Sequence, residues 1–316
     1  MQETAQFLGF LAAAFGFALA MWPLLKSRRL SRWSGFLVYG VVFVAPVIIA
    51  PEHMQLRALA CVLTIELYFK MIDFAGQSPG ENQRFRSYAR FLLPFPVLLV
   101  CLGQRLRRGS CDISRLLVAL CAALVLVFCI SAVLWSSDSQ RIRSSFLLDH
   151  TLKFVLFTAA IESLSRMLHG LEQAAGFDTP PLIDSAFRSR TVGEFWYRYN
   201  TRVHSWFDRN VFLPAGGRRS PVRAVFLTFF ISAILHEVGF AIATSRLDGY
   251  QFAFFLLQAP AVVVGRAIQQ KTKAGPAARV ALQVSTILWM WATSMLFFHG
   301  VNRVFPFFYA ADTWLP

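Results

Sequence analysis

Charge is what this 316-residue sequence has least of: 15% of its residues are Asp, Glu, Lys or Arg, where a soluble domain carries about 25%. Together with 56% hydrophobic residues, that deficit excludes an ordinary water-soluble enzyme and a disordered chain, and it makes lipid the expected solvent. Cysteine is sparse too. The five present form no CxxC pair and no His/Cys cluster, so neither a disulfide framework nor a zinc site is expected. No Gly-rich phosphate loop and no Gly-x-Ser-x-Gly nucleophile elbow occurs, which removes two large classes of soluble catalyst. There is no internal repeat and no low-complexity tract.

Acid is scarcer than base: 31 Lys and Arg stand against 17 Asp and Glu, a net charge of +14. These cations sit at the boundaries of apolar runs rather than in one soluble domain. They fit cytoplasmic loops beside anionic headgroups, with membrane lipids and not nucleic acid as the partner.

Apolar runs of spanning length cover Ala5–Leu25, Gly35–Ala50, Leu56–Ile72, Ile113–Trp135, Phe146–Leu168, Val222–Ala243, Tyr250–Ile268 and Val280–Val301. About 20 residues cross a bilayer as a helix. The start, Met-Gln-Glu, lacks the basic n-region of a signal peptide, so the first run is expected to stay as a span. Phe91–Gly103 is shorter and holds Pro94 and Pro96, which suits a re-entrant segment. If it does not cross, the basic stretches at 26–32, 84–108, 188–223 and 266–279 share the cytoplasmic side, as the positive-inside rule prefers; Arg141 and Arg143 are the misfit. The expected fold is therefore all-α, one polytopic transmembrane bundle of about eight or nine spans filling residues 1–316. The expected location is a bacterial inner membrane.

One long interruption, His169–Pro221, is expected as a cytoplasmic loop, and a loop of that length in a compact bundle is more often functional than not. Within it, Thr191–Asn210 reads as an amphipathic helix. Thr191 with Glu194 three residues on has the spacing of a capping box, and Phe195, Tyr199, Val203 and Trp206 form an apolar stripe.

Polar groups inside spans are costly and need a partner or a task. Glu66 with Lys70, Asp149 with Lys153, and Glu162 with Arg166 are acid-first i, i+4 pairs that can neutralise each other, and Asp73 lies three residues from Lys70. His204 and Asp208 have the same spacing on the loop helix; three residues separate them rather than four, and no His-His pair occurs, so the signatures of soluble acyl transfer are missing. His299 is expected near a membrane boundary. His236–Glu237 stands mid-span with no cation within a turn. A neutral buried imidazole is a competent general base, and Ser232, four residues earlier on the same face, could orient it; bonding across the bundle is the bland alternative.

Two runs now point to a family. Glu194-Phe-Trp-Tyr-Arg-Tyr-Asn-Thr-Arg-Val-His-Ser-Trp206 and, about thirty residues further, Ser232-Ala-Ile-Leu-His-Glu237 resemble in order, spacing and membrane context the paired motifs of the membrane-bound O-acyltransferase (MBOAT) superfamily. The short chain, and Lys70 leading into Gln77-Ser-Pro-Gly80, look closest to its wax-synthase-like branch. Tyr199 departs from the usual Trp. The motifs cover about 45 residues, and the first half of the chain matches only in hydropathy.

The resemblance implies catalytic roles for His236 and Asn200 at a tunnel from the cytosol into the bilayer. It implies acyl-CoA as co-substrate, with no other cofactor and no metal, and a lipophilic alcohol as acceptor. Substrate contacts are expected from Ser232, Glu237, Trp196, Arg198, Arg202 and His204, the two arginines suiting phosphate groups. A membrane transporter or lipid-handling protein using His236–Glu237 as a proton relay is the rival reading.

Overall fold

A computed structural model describes residues 2–27, 32–76, 84–93, 107–108, 113–271 and 275–310. The described elements are almost entirely helical: α1 (Gln2–Ala20), α2 (Trp22–Ser27), α3 (Arg32–Tyr39), α4 (Met54–Gly76), α5 (Phe85–Leu92), α6 (Ser114–Asp138), α7 (Gln140–Arg143), α8 (Phe146–Ala174), α9 (Val192–Tyr199), α10 (Thr201–Phe207), α11 (Pro221–Thr244), α12 (Tyr250–Lys271) and α13 (Pro276–Val304). Local chemistry sets several starts. Ser145 caps α8 through Leu148 N–H, and Pro221 and Pro276 open α11 and α13, where a missing N–H costs nothing.

Among the described residues five helices are long and apolar enough to cross a membrane: Gln2–Lys26, Ser114–Asp138, Pro221–Thr244, Tyr250–Gln269 and Pro276–Val304. They coincide with five of the eight expected spans. The other three differ in character. Gly35–Ala50 is α3 continued by a 3-10 helix over Gly40–Ile48 that contains Pro46, which gives only a shorter apolar helix. α4 and α8 run 23 and 29 residues but carry their charged pairs inside. Beyond Leu93 the expected re-entrant segment, like Gln77–Gly80, lies outside the described residues.

Two apolar clusters make the core. One gathers Phe10 of α1, Tyr68 and Phe69 of α4, Tyr88 of α5 and Trp206 of α10. The other gathers Phe154 of α8, Phe195 of α9, Phe254 of α12 and Phe298 of α13. α6 packs along α8, and α11 along α12.

The i, i+4 pairs form as expected. Lys70 lies 2.8 Å from Glu66, Lys153 3.5 Å from Asp149 and Arg166 3.1 Å from Glu162. Asp73, however, turns to Arg209 at 3.1 Å and to the Asn210 amide at 2.7 Å. It ties α4 to the turn that follows α10, because Lys70 is already held by Glu66 and the Leu93 carbonyl.

Candidate functional site

The expected loop helix is two helices. Thr191 caps α9, its hydroxyl accepting the Glu194 N–H, while the Glu194 carboxylate reaches back to the Arg190 N–H at 2.9 Å. At Asn200 the backbone leaves the helical region (φ −148°, ψ 84°) and α10 begins. Loop backbone is stitched to this break: Thr201 N–H donates to the Leu182 carbonyl and Asp184 N–H to the Arg198 carbonyl, each at 2.9 Å. Trp206, fully buried, donates its indole N–H to the Phe69 carbonyl and stacks on Phe69 with centroids 4.0 Å apart. A π turn over Asp208–Phe212 then leads toward α11.

On α11 the ring of His236 is fixed on two sides. Its Nδ1 lies 2.8 Å from the Ser232 carbonyl oxygen. A carbonyl can only accept, so Nδ1 carries the proton and Nε2 keeps a lone pair. The orienting group is thus the Ser232 carbonyl; its hydroxyl stands farther off, at 3.5 Å. Phe255 of α12 covers one face of the imidazole, centroids 3.8 Å apart and planes 27° from parallel.

His236 borders a chamber of about 490 Å³ at the seam between the two apolar clusters, from Phe69 on one side to Phe254 and Phe298 on the other. That volume falls within the range of small-molecule sites. Asn200, Trp196, His204 and Ser232 line the same chamber, so four of the residues singled out in the sequence converge with His236. Asn200 Oδ1 accepts the Val203 N–H at 3.2 Å. The Trp196 indole N–H is buried and has no partner among the described residues. Burial pushes the His204 imidazole below its ordinary pKa, with Asp208 pulling in the opposite direction.

Three residues expected at substrate do not border the chamber. The Arg202 guanidinium is fully buried, forked onto the Glu172 carboxylate and bonded to the Pro180 carbonyl. It clamps the loop to the end of α8. Arg198 is partly exposed and paired with Glu194 at 3.1 Å and Asp184 at 3.8 Å. Glu237 does not border the chamber. Its two oxygens accept the N–H groups of Gly249 and Phe252, at 2.7 and 2.9 Å, which fixes the turn into α12.

Sequence reasoning passed over His150 and Phe255. His150 is fully buried between the Tyr309 hydroxyl and the Trp291 carbonyl, each at 2.8 Å; a histidine beside Asp149 in an apolar run was the available signal. Nothing in the sequence marks one Phe among 32 as the one on the histidine ring.

The arrangement is that of a helical membrane protein with an imidazole at an internal aromatic chamber. The model of MBOAT, the membrane-bound O-acyltransferase family, matches residues 68–299, and the chain belongs to that family. Diacylglycerol O-acyltransferase 1-1 of Oryza sativa subsp. japonica is 31% identical over 87 residues, 27% of this chain and 16% of that protein. Probable sterol O-acyltransferase 2 of Schizosaccharomyces pombe is 26% identical over 136 residues, 41% of this chain and 29% of that protein. The chain therefore spans less than a third of the length of these curated relatives. Both are eukaryotic, so the expected bacterial inner membrane draws no support from them.

Proposed function

We propose that this chain transfers a fatty acyl group from acyl-CoA to the hydroxyl of a lipophilic acceptor. The observation that carries the reading is the His236 tautomer: with Nδ1–H held by the Ser232 carbonyl, Nε2 is the free basic atom at the chamber wall. In the proposed step Nε2 takes the acceptor's hydroxyl proton, and the alcohol oxygen attacks the thioester carbonyl carbon. The carbonyl electrons move onto oxygen, where the Asn200 amide can donate a hydrogen bond to the developing charge. Collapse breaks the carbon–sulfur bond, and the imidazolium returns its proton to the departing thiolate. The Ser232 carbonyl stabilises the imidazolium meanwhile, as an orienting acceptor does for a catalytic histidine. No step calls for a Lewis acid.

The acceptor is a long-chain alcohol in the wax-synthase-like reading, which rests on Lys70 and Gln77-Ser-Pro-Gly80. The names of the aligned relatives add diacylglycerol and sterol to the alcohols worth supplying. We place the α9–α10 loop on the cytoplasmic side, where acyl-CoA is, on the strength of its arginines. The test is purified protein with radiolabelled acyl-CoA and those three alcohols, followed by release of free thiol and formation of ester. His236→Ala should lose about 10²–10⁴ in rate, the usual worth of a general base. Near-wild-type turnover by that variant defeats the assignment.

A further inference from the structure

Five polar side chains of α6 and α8 take no part in the site: Ser136, Ser137, Asp149, His150 and Lys153, all buried. Lys153 Nζ donates to both serine hydroxyls and to the Val133 carbonyl and lies 3.5 Å from Asp149. Desolvating such charges costs several kcal/mol per ion, so the cluster should do something that apolar side chains could not.

What it holds is the short segment that follows α13. Asp149 Oδ2 accepts the Ala310 N–H at 2.8 Å, Ser137 Oγ donates to the Phe307 carbonyl, and His150 Nδ1 meets the Tyr309 hydroxyl at 2.8 Å. Asn302, in the last turn of α13, accepts the Tyr309 N–H at 3.0 Å. Irregular backbone in an apolar setting needs such partners for its N–H and C=O groups.

The pinned segment reaches the chamber through its rings. Phe308 is buried, with its centroid 4.9 Å from Phe298 and 6.1 Å from Phe157, which are themselves 4.9 Å apart. Phe157 and Phe298 border the chamber, and Phe308 backs them. Phe298 lies on α13 in the second apolar cluster, whereas Asn200 and His204 belong to the loop helices. Gln283, near the start of α13, bonds the Phe187 carbonyl beside α9, and Phe298 lies fifteen residues, about 22 Å of helix, further on. The polar CoA moiety suits the end where the loop helices bring Asn200 and His204 to the chamber, so the acyl tail points past His236 toward Phe298.

We infer that residues 305–310 form a stopper: pinned by Asp149, His150 and Ser137, the segment presses Phe308 behind Phe157 and Phe298 and so sets the longest acyl chain the chamber accepts. This rests on the acyl-transfer reading.

The experiment is kcat/KM for saturated acyl-CoAs from octanoyl to stearoyl, with wild type, Phe308→Ala and the milder Phe308→Leu. Wild type should fall off beyond the length at which the tail meets Phe298. Phe308→Ala should move that fall to longer chains, with about a four-fold gain for each further methylene buried, and Phe308→Leu should move it less. If Phe308→Ala fails to fold, Phe308→Leu and Ser137→Ala, which frees the Phe307 carbonyl, carry the comparison. An unmoved length profile in an active protein overturns the stopper and leaves acyl transfer standing. No transfer by wild type at any length removes the functional reading, and the stopper with it.

Discussion

The side-chain oxygen of Asn200 accepts the backbone N–H of Val203 at 3.2 Å, so the residue that ends α9 also caps α10. Oδ1 holds the helix start, and Asn200 also borders the chamber, where the proposed reaction uses its amide Nδ2 as the donor.

The two roles can be separated. Asn200→Ser keeps a capping oxygen and removes the amide donor, so kcat should drop by about 10²–10³, the worth of one oxyanion donor, with little change in thermal stability. Asn200→Ala should show the same loss of rate plus about 1 kcal/mol of stability for the missing cap. Full activity in the Ser variant would mean the amide has no part in the reaction.

Arg202 should matter for stability and not for affinity. Arg202→Met leaves the buried Glu172 carboxylate without its counter-ion, a change that costs about 3–5 kcal/mol. Pairing it with Glu172→Gln should restore much of the loss. Melting in detergent and KM for acyl-CoA are the two readouts; a raised KM with an unshifted melting point would return Arg202 to the substrate.

Acid should weaken the protein through His204. Its pKa is lowered in the fold from the ordinary 6.5, chiefly by burial and against the pull of Asp208. The unfolded chain therefore takes up a proton first, and stability present above pH 6.5 is lost as pH falls through that value toward the lower folded one. His204→Gln should flatten this part of the stability profile; an equally steep profile in the variant assigns the titration to another group.

What the sequence by itself determined is local. Five of the eight expected spans appear as apolar helices of crossing length, and the Thr191 cap and the Glu66–Lys70, Asp149–Lys153 and Glu162–Arg166 pairs formed because each is set within a turn or two of one helix. His236 belongs with them: its orienting carbonyl is four residues back on its own helix. The break at Asn200 was not legible, since the apolar stripe runs through it unbroken; the loop bonds from Leu182 and Asp184 hold it in place. Nor were the partners of Asp73, Arg202 and Glu237. Each is a strong acceptor or donor that the sequence offers several neighbours, and burial lets only the partner brought close by packing satisfy it. For Arg202 that partner is 30 residues away, for Asp73 it is 136. Which charged group faced the chamber and which closed a joint between helices was therefore decided by tertiary structure alone.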